Sequence, residues 1–234
     1  MNTIDEMLHT IHAATILDVA TGRGDFLLSL QQQLGSFGSG IGIDIKQSEE
    51  WTSEKFSELP IVFQKMDAAQ LDFADNSFDL VSISNSLHHL PDPCKTLAEM
   101  VRVLKPGGHF ILYEMYTDSQ TSEQQTHTLL HQWWGKVDTA SGICHRSPYT
   151  REELIQLIQC SELDNWQILD DVDLSGDPFD PETLNILDKN IDNYLGKTKD
   201  AELINEGVSL RLRLQTIGFQ SATELFALGE KVGG

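Results

Sequence analysis

The segment Ile16-Leu17-Asp18-Val19-Ala20-Thr21-Gly22-Arg23-Gly24-Asp25-Phe26 passes from an apolar run through a glycine-bearing turn into an amphipathic stretch. Glycine has no Cβ, so the main chain of such a turn can approach a ligand closely, and the N–H groups of the helix that follows offer partial positive charge. A short G-x-G is weak evidence alone. Asp44 strengthens it, because it stands 20 residues after Gly24 at the end of the next apolar run, where a carboxylate can accept both hydrogens of a ribose diol. Together the two features point to a bound nucleoside. A nicotinamide-type loop needs G-x-G-x-x-G/A, whereas here Leu27 fills the third small position and Asp25 opposes a pyrophosphate. Asp18 is equally unsuited to a pyrophosphate, but it suits the ammonium group of an amino-acid-bearing nucleoside.

The histidines form a second set. His88 and His89 follow an apolar run, at the strand end where open α/β sheets hold ligands, or else they serve only as backbone hydrogen-bond partners. His127 and His131, four apart, would share one helix face, and Cys144-His145 follow after a loop. A face of that kind could hold a metal ion through His127, His131, Cys144 and His145, although exposed helical histidines are common and the gap to Cys144 is no fixed signature. Trp133 and Trp134 fit packing better than a substrate cage.

Short apolar runs alternating with amphipathic stretches are the pattern of βα units in a parallel sheet. The pattern predicts strands at 15–19, 40–44, 61–64, 78–84 and 109–114, helices at 25–34, 48–57 and 92–104, and a helix stop at Pro106-Gly107-Gly108. After Tyr116 the rhythm breaks. A Trp-bearing helix at 126–134, a helix at 150–161, a strand at 166–169, a helical insertion at about 181–214 and a last strand at 222–230 follow.

Four blocks in order make the chain resemble a class I S-adenosylmethionine-dependent methyltransferase, of the branch that includes the quinone-biosynthesis methyltransferases. They are LDVATGRGDF from Leu17, GIGIDI from Gly40, MDAAQLDFADNSFDLV from Met66, and NSLHHLPDP through RVLKPGGHFILYE from Asn85 to Glu114. The resemblance covers about residues 15–116, and TREELIQLIQ at 150–159 resembles the family's late helix more weakly. It implies that Asp18, Ala20 and Gly22 line the methionine moiety, with Gly24 also in the cofactor site, Asp44 holds the ribose and Ile45 packs on adenine. Asp67 would accept from the adenine amino group with Ala68 beside the ring, and Asn85, Ser86 and Leu87 would border the transferable methyl. Ala20 departs from the family at a position that is often glycine, and the short stretch before the first strand leaves little room for an N-terminal covering helix.

The fold so implied is α/β: a doubly wound, Rossmann-like sheet of seven mostly parallel strands, the last antiparallel. The core would comprise about 15–116, 148–175 and 217–232, with a cap insertion at about 117–147 and a helical insertion at about 176–216. The expected reaction transfers a methyl group from S-adenosylmethionine to a small molecule, leaving S-adenosylhomocysteine. His88, His89, Tyr116, His127, His131 and His145 are the candidates for removing a proton from the acceptor. A nucleoside-binding regulatory protein without turnover is the alternative.

Composition narrows the partners. The 234 residues carry 16 Lys plus Arg against 36 Asp plus Glu, a net charge of −20 that repels phosphate backbones and anionic membranes and disfavours a nucleic-acid methyltransferase. Residues 161–206 alone hold 13 acidic and 3 basic side chains, so half of that charge falls on this stretch. Cys94, Cys144 and Cys160 are too few and too scattered for a disulfide framework and suit a reducing cytoplasm. No apolar run approaches membrane-spanning length, so no membrane partner is expected.

Overall fold

Parallel strands buried on both faces must be apolar almost without interruption, and the strand β1, His12–Val19, meets that demand with buried Ile16, Leu17 and Val19, interrupted by the buried Asp18. The computed structural model describes residues 3–159, 161 and 163–232, and Cys160 lies outside them. Around β1 the sheet adds β2 (Ser36–Asp44), β3 (Ile61–Lys65), β4 (Phe78–Ser84), β5 (Leu104–Met115), β6 (Asp164–Asp171) and β7 (Glu224–Glu230) in the order β3-β2-β1-β4-β5-β7-β6. β1 pairs in parallel with β2 and β4, β2 with β3, and β4 with β5, while β7 runs antiparallel to both β5 and β6. The doubly wound seven-stranded expectation holds, last strand included.

Alternation along the strands sends neighbouring residues into two separate cores. Leu17, Val19, Val81, Ile83, Phe110, Leu112, Leu225 and Ala227 enter one, while Ile16, Leu80, Ile111, Phe226 and Leu228 enter the other. The helices α1 (Thr3–His9), α2 (Asp25–Gln33), α3 (Pro93–Val103) and α5 (Arg151–Gln159) contribute buried residues to these two cores. α3 starts cleanly because Asp92 accepts from the Lys95 N–H at 3.0 Å and Pro93 occupies the first turn.

Two local expectations need correction. The helix predicted at 48–57 is instead two 3₁₀ turns, Glu49–Thr52 and Glu54–Phe56. Ser48 caps the first by accepting from the Glu50 N–H, and extended Ser53 (φ −71°, ψ 156°) interrupts any continuous helix. The stop assigned to Pro106-Gly107-Gly108 also falls late. α3 already ends at Val103, and those residues lie inside β5, where a register irregularity against β4 accommodates them.

The remaining helices form a third packed unit. α4 (Ser122–Ala140) opens with a capping box between Thr121 and Gln124, and it packs with α6 (Pro181–Lys197) and α7 (Ala201–Thr216) around Leu130, Trp133, Val137, Ile191, Leu210 and Leu214. Trp133 is fully buried, and its indole N–H donates to the Leu203 carbonyl at 2.8 Å. Gly207 makes room for that ring, since a Cβ there would lie 2.3 Å from Trp133 Cζ2. Among the described residues no helix is long and apolar enough to cross a membrane.

Candidate functional site

The C-terminal ends of β1, β2, β3 and β4 meet along one edge, and the chain winds away in opposite directions from β1 and β4, the position at which open sheets bind ligands. After β1 the turn contains three left-handed residues: Ala20 (φ 53°), Gly22 (φ 55°) and Gly24 (φ 84°). Ala20 adopts at a steric cost the conformation that glycine would adopt freely. A Cβ on Gly24 would strike Phe63 at 2.7 Å and Phe56 at 2.8 Å, whereas one on Gly22 would meet nothing within 4 Å. Gly24 is therefore fixed by packing, and Gly22 borders open space.

Asp44 holds this turn in place. Its carboxylate accepts from the Gly22 N–H at 3.0 Å and from the Lys46 N–H at 2.9 Å. Trp51, which no motif or spacing singles out, supports the other side. Its indole N–H donates to the Gly22 carbonyl at 2.8 Å, and its ring stacks on Phe63 at 5.2 Å. Ile45, beside Asp44, is 57 % exposed. Asp67 closes a turn by accepting from the Ala69 N–H at 2.9 Å, and Ala68 lies half-buried next to it.

Asp18 is buried beneath the turn. The Thr21 hydroxyl donates to one of its oxygens at 2.6 Å and the Ser82 hydroxyl to the other at 2.7 Å. Burial pushes its carboxyl up from 3.8 to about 6, because the two hydrogen bonds only partly offset the loss of water. Beyond β4, Asn85 (φ 45°) is committed to neighbouring strands: its carbonyl accepts from the Met115 N–H at 3.0 Å and its amide donates to Glu224. The Ser86 hydroxyl donates to the carbonyls of Ala20 at 3.2 Å and Ser84 at 2.8 Å, and Leu87 is buried.

The next residues open a cluster of five imidazoles. His88 and His89 have ring centres 4.2 Å apart, His145 lies 4.2 Å from His89 and 5.5 Å from His88, His131 lies 5.7 Å from His88, and His127 lies 5.0 Å from His131. Gly135 on α4 lets the 143–149 loop run close, for its Cβ position is 3.0 Å from the His145 carbonyl oxygen. The Arg146 N–H then donates to the His88 carbonyl at 2.8 Å and ties that loop to the β4 end.

Two of these rings are oriented by carboxylates. Fully buried Glu114 faces His88 Nδ1 at 3.1 Å and also accepts from the Leu87 N–H at 2.8 Å. Asp138 faces His145 Nδ1 at 2.8 Å and accepts from the Tyr194 hydroxyl at 2.9 Å. A carboxylate can only accept, so both rings carry their proton on Nδ1 and present a lone pair at Nε2. Neither Nε2 has a hydrogen-bond partner, and both are buried. Against the penalty of burial, hydrogen bonds from His145 and Tyr194 hold the Asp138 carboxyl below its ordinary value. Desolvation and then the neighbouring rings push His89 down to about 3, and desolvation pushes His127 down to about 4. His131 and His145 are lowered as well, so these four rings are neutral near pH 7.

Two of the sequence candidates have structural partners instead. Tyr116 is buried in the core, where desolvation raises its phenol pKa and leaves it a poor base. His127 accepts from the Ala222 N–H at 2.9 Å and so anchors the loop before β7. The metal set expected from His127, His131, Cys144 and His145 is not assembled. Cys144 is exposed, and among the described residues the ring nitrogens that converge belong to His88, His89 and His145. A groove between α3 and α5, with a volume of about 350 Å³ and walls from Cys94, Leu97 and Leu157, contains none of the predicted site residues.

Known proteins bear on this geometry as follows. A family model described as a methyltransferase domain matches residues 17–112. A demethylmenaquinone methyltransferase of Bacillus licheniformis is 34% identical over 113 residues, 47% of this chain and 48% of that protein. The chain thus spans about half the length of the curated relatives it matches. The YcgJ protein of Bacillus subtilis has a TM-score of 0.61 at 16% identity and covers 99% of this chain and 97% of its own. A phosphoethanolamine N-methyltransferase of Haemonchus contortus, solved with phosphomonomethylethanolamine and S-adenosylhomocysteine, has a TM-score of 0.59 at 16% identity over 97% of this chain and 51% of its own.

Proposed function

We propose, from the premise that residues 17–112 belong to the methyltransferase domain family, that the chain transfers the methyl group of S-adenosylmethionine to a small molecule. The observation that carries this reading is the β1 turn, open at Gly22 and fastened to Asp44 at the end of β2. A nucleoside laid across that edge has Asp44 for its ribose hydroxyls, exposed Ile45 for its base and Asp67 with Ala68 at the rim. The cofactor's ammonium group has buried Asp18 beneath Ala20, Gly22 and Gly24. Ser86 and Leu87 border the methyl.

When bound, S-adenosylmethionine supplies a methyl already activated by its sulfonium. The protein's part is to align the acceptor about 3 Å from that carbon and to exclude water. An acceptor that must lose a proton meets the imidazole cluster, in which carboxylates hold Nδ1 of His88 and His145 and leave Nε2 facing inward to receive it. His89 and His131 stand beside them, while His127 and Tyr116 have structural duties. We further propose that α4, α6 and α7 cap this pocket and choose the acceptor. The matched segment ends at residue 112, before those helices, so the quinone chemistry of the relatives does not by itself identify it.

The test is turnover. Incubation with S-adenosylmethionine and the small-molecule fraction of a cell extract should form S-adenosylhomocysteine, and buffer alone should not. Tight cofactor binding without turnover across extracts would replace the enzyme by a nucleoside-binding protein.

A further inference from the structure

His88 and His145 each commit Nδ1 to a carboxylate and leave Nε2 buried with no hydrogen-bond partner. Buried polar atoms are almost always satisfied, so two orphans in one cluster require an explanation. The tautomer that creates them is the one that ligating histidines adopt, where a carboxylate takes the Nδ1 proton, orients the ring and raises the basicity of Nε2. His89 joins both rings, and one nitrogen from each of the three can be chosen so that all lie within 4.8 Å of one another.

A tetrahedral ion bonded to imidazole nitrogens at about 2.0–2.1 Å keeps those nitrogens roughly 3.4 Å apart, so the rings need draw in by no more than about 1.4 Å. Imidazole nitrogen selects borderline ions of the zinc type over the oxygen-seeking calcium and magnesium. Glu114 and Asp138 behind the rings, in a chain of net charge −20, favour a cation electrostatically.

We infer that His88, His89 and His145 bind one divalent ion of the zinc class, with three protein ligands and a coordination position left for a further group. Three-ligand sites of this composition are the reactive kind, whereas structural sites close with a fourth protein ligand. The ligands come from the β4 end and from the loop beside α4, so the ion would join the helical unit to the sheet. A bound ion would take the Nε2 lone pairs of His88 and His145 that otherwise receive the acceptor's proton, and its binding is read without any cofactor present, so its failure leaves methyl transfer untouched.

The experiment uses the untagged full chain, stripped with a chelator and titrated with Zn²⁺ by calorimetry and with Co²⁺ by absorbance. One equivalent should bind with a dissociation constant below about 1 μM, and Co²⁺ should give the visible bands of a four-coordinate site. His89→Ala, a substitution at an exposed position, and His145→Ala should each weaken binding by at least 100-fold. Asp138→Asn should weaken it by about 10–100-fold through the ring it orients. His9→Ala, outside the cluster, should change nothing, and far-UV circular dichroism checks that each variant is folded. Binding weaker than about 100 μM, or equal binding by the wild type and folded His89→Ala, would overturn the site and return these rings to proton transfer.

Discussion

Asp18 makes the cofactor assignment testable by protons. Its carboxyl is buried and raised from 3.8 to about 6, which corresponds to about 3 kcal/mol against the ionised form in the free chain. An ammonium placed beside it favours ionisation and lowers that pKa again. A return to about 4 means that binding of S-adenosylhomocysteine releases about half a proton at pH 6 and roughly 0.8 at pH 5, with affinity tightening about ninefold from pH 5 to 7. Calorimetry in buffers of different ionisation enthalpy measures the release directly, and Asp18→Asn should abolish it. The sign for stability is opposite. With the folded pKa above the unfolded one, Asp18 supports folding below about pH 4 and loses that contribution as pH rises through 6. Urea denaturation should therefore show Asp18→Asn gaining on the wild type between pH 4 and 8, by up to about 3 kcal/mol. Equal proton release by the variant, or affinity that falls as pH rises from 5 to 7, would refute the pairing of Asp18 with the ammonium.

Trp51→Ala removes the hydrogen bond to the Gly22 carbonyl and the stack on Phe63, and S-adenosylhomocysteine should bind about 1–2 kcal/mol more weakly in a calorimetric titration. Gly24→Ala combines a left-handed backbone with a Cβ 2.7 Å from Phe63, so urea denaturation should show a loss of at least about 1–3 kcal/mol. Gly22→Ala has only the backbone cost, and its larger effect should appear in cofactor affinity. Trp133→Ala empties the centre of the α4, α6 and α7 unit at a cost of about 3–5 kcal/mol. Protease sensitivity should then rise within these helices while S-adenosylhomocysteine binding persists, and loss of both together would show that the unit and the sheet are not separable.

What could be read from sequence follows the physics of each region. The buried parts of β1, β2 and β4, residues 16–19, 40–44 and 80–83, are short and largely apolar, because strands covered on both faces admit little else, and so their ends and the residues just beyond were visible. The stretch 48–57 misled because its composition suits a helix, and only the local hydrogen bond of Ser48 and the extended backbone of Ser53 break it into 3₁₀ turns. Trp51 carries no spacing signal, since its role depends on a carbonyl 29 residues earlier in the chain. The histidines were visible as candidates but not as a cluster. His88, His131 and His145 meet only through tertiary packing, and Glu114 and Asp138 gain meaning only once the rings they face are known.

The most direct test of the account is calorimetric titration of S-adenosylhomocysteine into the wild type and into Asp44→Ala. One molecule should bind per wild-type chain, and the variant should bind about 1–3 kcal/mol more weakly, because the carboxylate both pins the Gly22 turn and serves the ribose hydroxyls. No binding by the wild type at millimolar ligand, or equal affinity in the two proteins, would contradict the nucleoside site on which the proposed methyl transfer depends.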